Sequence, residues 1–348
     1  PLMGTFSRIM RMTSTTRLSD YVLPVTGWYE KVEHKWGTPL MPFIHAGTKL
    51  ASFHEAKSDW EICSLLAKKI QERAQARAIT TYKDRHGEER RLDTVYDDFT
   101  MSGTFSENDE EKVAEEIVKL ATNLEGVEWS TLKEKGYARF TGTGLSGVSI
   151  GNRCEIKPDD TVSPFTDHVV KKEPYPTLTR RIQFYIDHPY YSELGEQLPV
   201  HKDPLNAGGN YPLILTGAPT RWSIHSAWRD DTLMQRLERG VPLVCVSVED
   251  AKARGIEDGA LIEVRNDINS FRAYAKVSPA VRPGQVLTYH AWEDYQFPGG
   301  KGFQSLIPSP INPIDLAGGE GHLRPIQIAM QPTQNDRDTR VEIRPVEG

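Results

Sequence analysis

The strongest constraint on the fold lies between residues 213 and 289, where short apolar runs alternate with tight-turn signals. The runs are Leu213-Ile-Leu215, Leu243-Val-Cys-Val246, Leu261-Ile-Glu-Val264, Phe271-Arg-Ala-Tyr-Ala-Lys-Val277 and Gln285-Val-Leu-Thr-Tyr289. The turns are Asp258-Gly259 and Pro283-Gly284, and one small helix is expected from Ser247 to Arg254, stopped by Gly255. Strands this short, with so little helix between them, close on themselves and do not build a parallel sheet. A closed barrel is therefore expected in the C-terminal part.

The upstream sequence reads differently. Tyr21-Val-Leu23 is a brief buried strand ended by Pro24. Ser58-Asp-Trp-Glu61 is a capping box, and Ile62, Leu65, Leu66 and Ile70 behind it give an amphipathic helix from 59 to about 76, with Trp60 in the core. The charges from Thr80 to Arg91 indicate a solvated connection. Ser106 caps a second helix that presents Val113, Ile117, Leu120, Ala121 and Leu124 on one face, with Gly126 after its end. The Gly-rich run between Ala138 and Ile150 is not read as a phosphate loop, because no helical period follows it. Residues 174 to 204, marked by Pro174, Pro176, Pro189, Pro199 and Pro204, form an extended connection and domain boundary that holds one strand, Arg181 to Ile186.

One loop concentrates polar chemistry. After the strand at Leu213, the chain breaks at Thr216-Gly217 and then carries Arg221, Trp222, Ser223, His225 and Ser226 within six residues; Asp230 or Asp231 opens a helix beyond. Hydroxyls, a guanidinium, an imidazole and backbone N–H groups suit an anionic heteroaromatic ligand, and a helix start would add to the effect. The same pattern suits a surface loop whose His and Trp cap a core, and spacing alone does not separate the two.

Charge and cysteine usage narrow the function. A net charge of -6 argues against a nucleic-acid partner, and no apolar run is long enough for direct membrane insertion. Cys63, Cys154 and Cys245 lie far apart, without the spacing of a zinc or iron–sulfur site, and are expected as buried thiols. The start, Pro1-Leu-Met-Gly-Thr5, has neither an initiator Met nor a signal peptide, so a fragment or a processed piece is expected.

With these residues in view, the chain resembles the catalytic alpha subunit of molybdenum enzymes of the dimethyl sulfoxide reductase family. The branch is that of respiratory nitrate reductase, dimethyl sulfide dehydrogenase, selenate and chlorate reductases and ethylbenzene dehydrogenase. The resemblance runs from Thr13 to Lys69 and from Pro174 onward. It rests on Ser19-Asp-Tyr-Val-Leu-Pro-Val-Thr-Gly-Trp-Tyr-Glu-Lys31, Lys57-Ser-Asp-Trp-Glu61, Gln183-Phe-Tyr-Ile-Asp-His-Pro189, Pro199-Val-His-Lys-Asp-Pro204, Arg221-Trp-Ser-Ile-His-Ser226, Tyr289-His-Ala-Trp-Glu293 and Leu316-Ala-Gly-Gly-Glu-Gly-His322. Residues 80 to 170 are placed by position only. Tyr289 to Phe297, Gly302-Phe-Gln-Ser305 and Val200-His-Lys-Asp203 look most like ethylbenzene dehydrogenase-type hydroxylases.

The resemblance implies a mixed α/β chain: a remnant of an α/β molybdopterin oxidoreductase domain in 1–80, an α+β connecting region in 81–204, and a six-stranded double-psi β-barrel in 205–348. It implies molybdenum held by bis-molybdopterin guanine dinucleotide. Thr216, Gly217, Arg221, Trp222, Ser223, His225 and Ser226 would form the first ligand loop, with Trp222 and His225 facing the pterin. Tyr289, His290 and Trp292, then Gly319, Gly321 and His322, would form the further walls. The family's [4Fe–4S] motif and its molybdenum-bound aspartate are absent from these residues; the cluster is expected only in a missing N-terminal part. Asp20, Asp59 and Asp230 are not assigned to the metal, and no catalytic residue is assigned.

The leading functional expectation is a dehydrogenase that hydroxylates a hydrocarbon or steroid C–H carbon with oxygen from water. The alternatives are a respiratory oxyanion reductase acting on nitrate, selenate or chlorate, and a cofactor-binding module without turnover. The resemblance also implies an iron–sulfur beta subunit, a haem b gamma subunit and a periplasmic location.

Overall fold

The computed structural model describes residues 6–346 except 37–40, 85, 146–152, 176, 178, 188, 194, 196, 199, 202–207, 222, 224, 238–239 and 308–338. It forms two compact units, Pro1–Ile182 and Gln183–Gly348.

In the first unit β1 (Phe6–Ile9) and β2 (Tyr21–Pro24) pair in parallel. β3 (Glu33–Trp36) and β4 (Phe43–Gly47) are antiparallel. β5 (Thr81–Lys83) and β6 (Glu89–Arg91) make an exposed hairpin, and β7 (Tyr137–Arg139) adds to β4. The strand at Tyr21 is present, but Tyr21 and Val22 are exposed, contrary to the buried reading. Among the described residues β2 pairs with β1 alone, in a two-stranded sheet.

The helix Asp59–Ala76 has the expected bounds, and Ser58 Oγ accepts from Glu61 N at 3.2 Å. The Glu61 carboxylate turns to Lys57 Nζ, so only half of the expected capping box forms around it. Trp60 stacks on Phe99 at 5.1 Å, meets Phe105 edge-on and donates to the Ser106 carbonyl at 2.9 Å. Ile62 is buried as expected, but Leu66 and Ile70 are exposed, and Ala67 and Ala74 are buried in their place.

The second helix, Glu110–Leu120, starts after Asp109; Ser106 lies one turn earlier and donates its hydroxyl to Asp109 Oδ2 at 2.7 Å. Its buried positions are Ala114 and Val118, one residue off the expected stripe, while Ile117 and Leu120 are exposed. The core explains the shift: Ala114, Val118 and Leu124 pack with Ile44, Trp129, Leu132, Phe140 and Ile156, and a helix presents only one such stripe to a partner. The charged stretch from Thr80 is a hairpin whose turn is organised by Asp84, which accepts from His86 N and Glu88 N and pairs with Arg90.

No strand forms at Arg181–Ile186: Ile182, Phe184 and Tyr185 are exposed and the segment has no ladder partner. Alternating apolar character specifies a strand only where a neighbouring edge accepts it.

The second unit contains the expected closed six-stranded barrel. Its strands are β8 (Leu213–Ala218), β9 (Leu243–Val246), β10 (Leu261–Arg265), β11 (Ser270–Val277), β12 (Gln285–Tyr289) and β13 (Thr339–Pro345), in the order β10-β11-β9-β12-β8-β13. Two pairs are parallel, β8 with β12 and β9 with β11; the rest are antiparallel. Inward positions alternate along each strand: Leu213 and Leu215, Val244 and Val246, Ile262 and Val264, Phe271, Ala273 and Ala275, Val286, Val341 and Ile343. Phe297, Phe303 and Leu306 join the same core. Each fully buried large side chain contributes roughly 1.5–3 kcal/mol, so closure and core formation are one event. The helix Val248–Ala253 carries its Ser247 cap, with the hydroxyl accepting from Asp250 N at 3.0 Å.

Candidate functional site

The strand at Leu213 does not break at Thr216-Gly217; it continues to Ala218. Thr216 and Gly217 therefore sit inside the parallel β8–β12 ladder, opposite Leu287 and Thr288, and Gln285 Nε2 donates to Thr216 Oγ1 at 2.8 Å. A β12 strand laid along β8 satisfies those backbone groups, which is why the ladder runs three residues past the expected stop. The loop proper begins after Ala218, and His290 N, just past β12, still donates to the Ala218 carbonyl at 3.0 Å.

Where these two parallel strands end together, a cleft of about 320 Å³ opens, lined by Thr220, Arg221, Arg229, Tyr289, Trp292, Lys276, Cys245 and the apolar Leu237, Val241 and Leu243. Lys276 and Cys245 come from register partners on β11 and β9. Thr220 Oγ1 accepts from Ser223 N at 3.2 Å and lies 2.7 Å from Ser223 Oγ, which turns the loop back over the strand end. His225, at φ 47°, is exposed and its ring lies 5.5 Å from that of His290. Ser226 accepts from Arg229 N through its carbonyl at 3.3 Å.

Of the residues expected at the site, Arg221, Tyr289 and Trp292 line one cleft, while His225 and His290 pair beside it. Thr216 and Gly217 belong to the strand. Trp222, Gly319, Gly321 and His322 lie outside the described residues. Thr220, Arg229 and Lys276 were not anticipated. Arg229 stood within the polar stretch, but nothing in its spacing separates it from a surface arginine; Lys276 on β11 reaches the cleft through the barrel order, in which β9 lies between β11 and β12. The helix expected to open at Asp230 or Asp231 starts at Thr232 and runs only to Leu237, with Asp231 Oδ1 accepting from Met234 N at 2.9 Å. At six residues, with a carboxylate as its cap, it adds little positive potential for a ligand.

Lys276 has a carboxylate near it, Asp258 at 3.5 Å, and Arg229 is buried. A cationic, half-enclosed hollow with hydroxyl donors and two aromatic walls suits a ligand that is anionic at one point and flat at another.

Residues 213–317 match the family described as "Molydopterin dinucleotide binding domain". The barrel belongs to the molybdopterin dinucleotide-binding domains. Around that domain, the chain is 36% identical to the respiratory nitrate reductase subunit alpha of Haloferax mediterranei, over 97% of its own length and 35% of the relative's. It is also 36% identical to the dimethylsulfide dehydrogenase subunit alpha of Rhodovulum sulfidophilum (97% and 36%) and 32% identical to the chlorate reductase subunit alpha of Ideonella dechloratans (96% and 36%). The chain thus spans about a third of the length of these relatives, which are alpha subunits of molybdopterin oxidoreductases of the dimethyl sulfoxide reductase family. Acetylene hydratase from Pelobacter acetylenicus shares the fold, with a TM-score of 0.57 at 14% identity over 96% of this chain and 39% of that one. Within the matched residues, Arg221 and Thr220 line the cleft together with Lys276, and Tyr289 and Trp292 line it beside them.

Proposed function

We propose that this chain is part of the alpha subunit of an oxyanion reductase and that its barrel cradles a molybdopterin guanine dinucleotide at the β8–β12 cleft. One observation carries the reading: Arg221, Lys276 and Thr220 meet in a single hollow at the shared end of two parallel strands, with aromatic walls beside them. Two cations in a partly enclosed site hold a diphosphate through charge-assisted hydrogen bonds, which are about twice as strong as neutral ones. Tyr289 and Trp292 exclude water from one side of the ligand and fix its orientation, while the apolar end at Leu237, Val241 and Leu243 offers no competing donor. When bound, the molybdenum group supplies two-electron oxygen-atom chemistry; this chain supplies binding and orientation.

The relatives named for nitrate and chlorate favour oxyanion reduction over the hydrocarbon hydroxylation that the sequence motifs suggested. The dimethylsulfide dehydrogenase relative, equally similar, supports a second reading in which electrons leave the substrate instead. Iron–sulfur and haem b partner subunits belong to the same proposal, supported by relatives that are named as alpha subunits.

The test is to purify the intact enzyme, quantify bound pterin, and assay nitrate and chlorate with a reduced dye and dimethyl sulfide and ethylbenzene with an oxidised one. Dye oxidation by an oxyanion is expected. Label from isotopic water entering a hydrocarbon product, with no oxyanion turnover, would overturn it.

A further inference from the structure

We propose that Arg229 is a positioning residue that grips the chain on both sides of Ala291 and so fixes how His290 and Trp292 enter the cleft wall. Ala291 is left-handed, at φ 71°. Only glycine enters that region freely, because a Cβ there crowds the neighbouring carbonyl. Arg229 Nη2 donates to the carbonyl of His290 at 2.8 Å, and its guanidinium lies 4.6 Å from the centre of the Trp292 ring. Those two contacts fall on the residues immediately before and after the kink.

The arginine is itself held in place. Its carbonyl accepts from Gln235 Nε2 at 2.7 Å and from Gln296 Nε2 at 2.9 Å, which joins the helix Thr232–Leu237 and the 3-10 turn Asp294–Gln296 to one peptide group. At 2% exposure, water does not compete for these bonds. Arg221, by contrast, is exposed. The labour divides accordingly: Arg221 and Lys276 meet the ligand's charge, and Arg229 acts through His290 and Trp292. The functional consequence rests on the cleft being the dinucleotide cradle; the geometric claim does not.

Two measurements separate these. Hydrogen exchange read by mass spectrometry on the full chain tests the grip without any ligand. Arg229→Lys and Arg229→Gln are each expected to speed exchange over 289–297 about tenfold, because neither an ammonium nor an amide supplies both a donor fork and a flat cationic face. Adding Ala291→Gly to Arg229→Gln is expected to recover part of the protection, since the kink then needs less holding. In the intact enzyme, pterin retention should fall by a similar factor in both arginine variants and recover in part with Ala291→Gly.

Arg229→Lys behaving as wild type in both measurements would overturn the proposal, because charge alone would then suffice. If both arginine variants lose their circular dichroism signal, Trp292→Leu decides: unchanged exchange over 289–297 in that variant overturns it. Wild-type enzyme that carries no pterin would sink the cradle reading, while the exchange data would still decide the role of Arg229.

Discussion

Arg254 Nε donates to Glu342 Oε1 at 2.6 Å, which ties the short helix after β9 to the last strand of the barrel across 88 residues of sequence. Both side chains are largely shielded, and Arg254 Nη1 also reaches Asp250 Oδ1 at 3.3 Å. The same Asp250 accepts the Ser247 hydroxyl and the Gly284 amide, so helix, turn and strand share one charged cluster.

Arg254→Ala is expected to destabilise the barrel by about 2 kcal/mol, because it leaves Glu342 and Asp250 short of a charge-assisted partner. Urea unfolding followed by barrel tryptophan fluorescence measures this. A change no larger than that of Arg344→Ala, whose pairing with Glu263 is more exposed, would show the cluster contributes nothing special.

Val118→Ala should cost about 1 kcal/mol or more through the cavity it leaves, whereas Ile117→Ala, on the exposed face, should stay within about 0.5 kcal/mol. Thermal melts of the two variants give the comparison, and equal losses would contradict the register of the helix Glu110–Leu120.

Trp60→Ala removes two ring contacts and a hydrogen bond to Ser106 at once and is expected to cost about 3–5 kcal/mol in the first unit. Trp60→Phe should lose less, about 1–2 kcal/mol, since stacking on Phe99 survives. Chemical unfolding monitored by circular dichroism separates the two.

Acid should loosen the first unit in a defined window. Glu107 is held at a pKa of about 2 by its bonds from Lys68 Nζ and then Tyr96, and Asp109 at about 2 by Lys112 and then Ser106. A carboxyl depressed in the folded state stabilises above its unfolded pKa and loses that contribution as pH falls through the folded value. Stability is therefore expected to decline from about pH 4.5 toward pH 2. Glu107→Gln should flatten the profile there; a slope identical to wild type would exclude Glu107 as a contributor. Lys68, raised by the same Glu107 bond, acts at the other end, stabilising below its unfolded pKa and ceasing to do so as pH rises through its folded value.

Arg221→Ala and Lys276→Met should each lower pterin retention in the intact enzyme by about tenfold and together by more, because each removes a charge from the same hollow. Pterin content after oxidation and release measures this, and full retention in the double variant would exclude the cleft as the cradle.

Local rules made much of this protein legible in its sequence. The Ser58 and Ser247 caps, the turns at Gly259 and Gly284, and the period-two alternation of β10, β11 and β12 are set by residues within a few positions of one another, and all appear where the sequence places them. Arg221, Tyr289 and Trp292, named through resemblance, line one cleft. Longer-range matters were decided by packing. Whether Arg181–Ile186 became a strand depended on an edge to pair with, and which stripe of Glu110–Leu120 faced inward depended on Trp129 and Phe140. The partnership of Arg229 with His290, 61 residues away, exists only because β8 and β12 lie in parallel and end at the same level. Sequence spacing sets which side chains share a face of one element; only the closed barrel decides which faces of different elements meet.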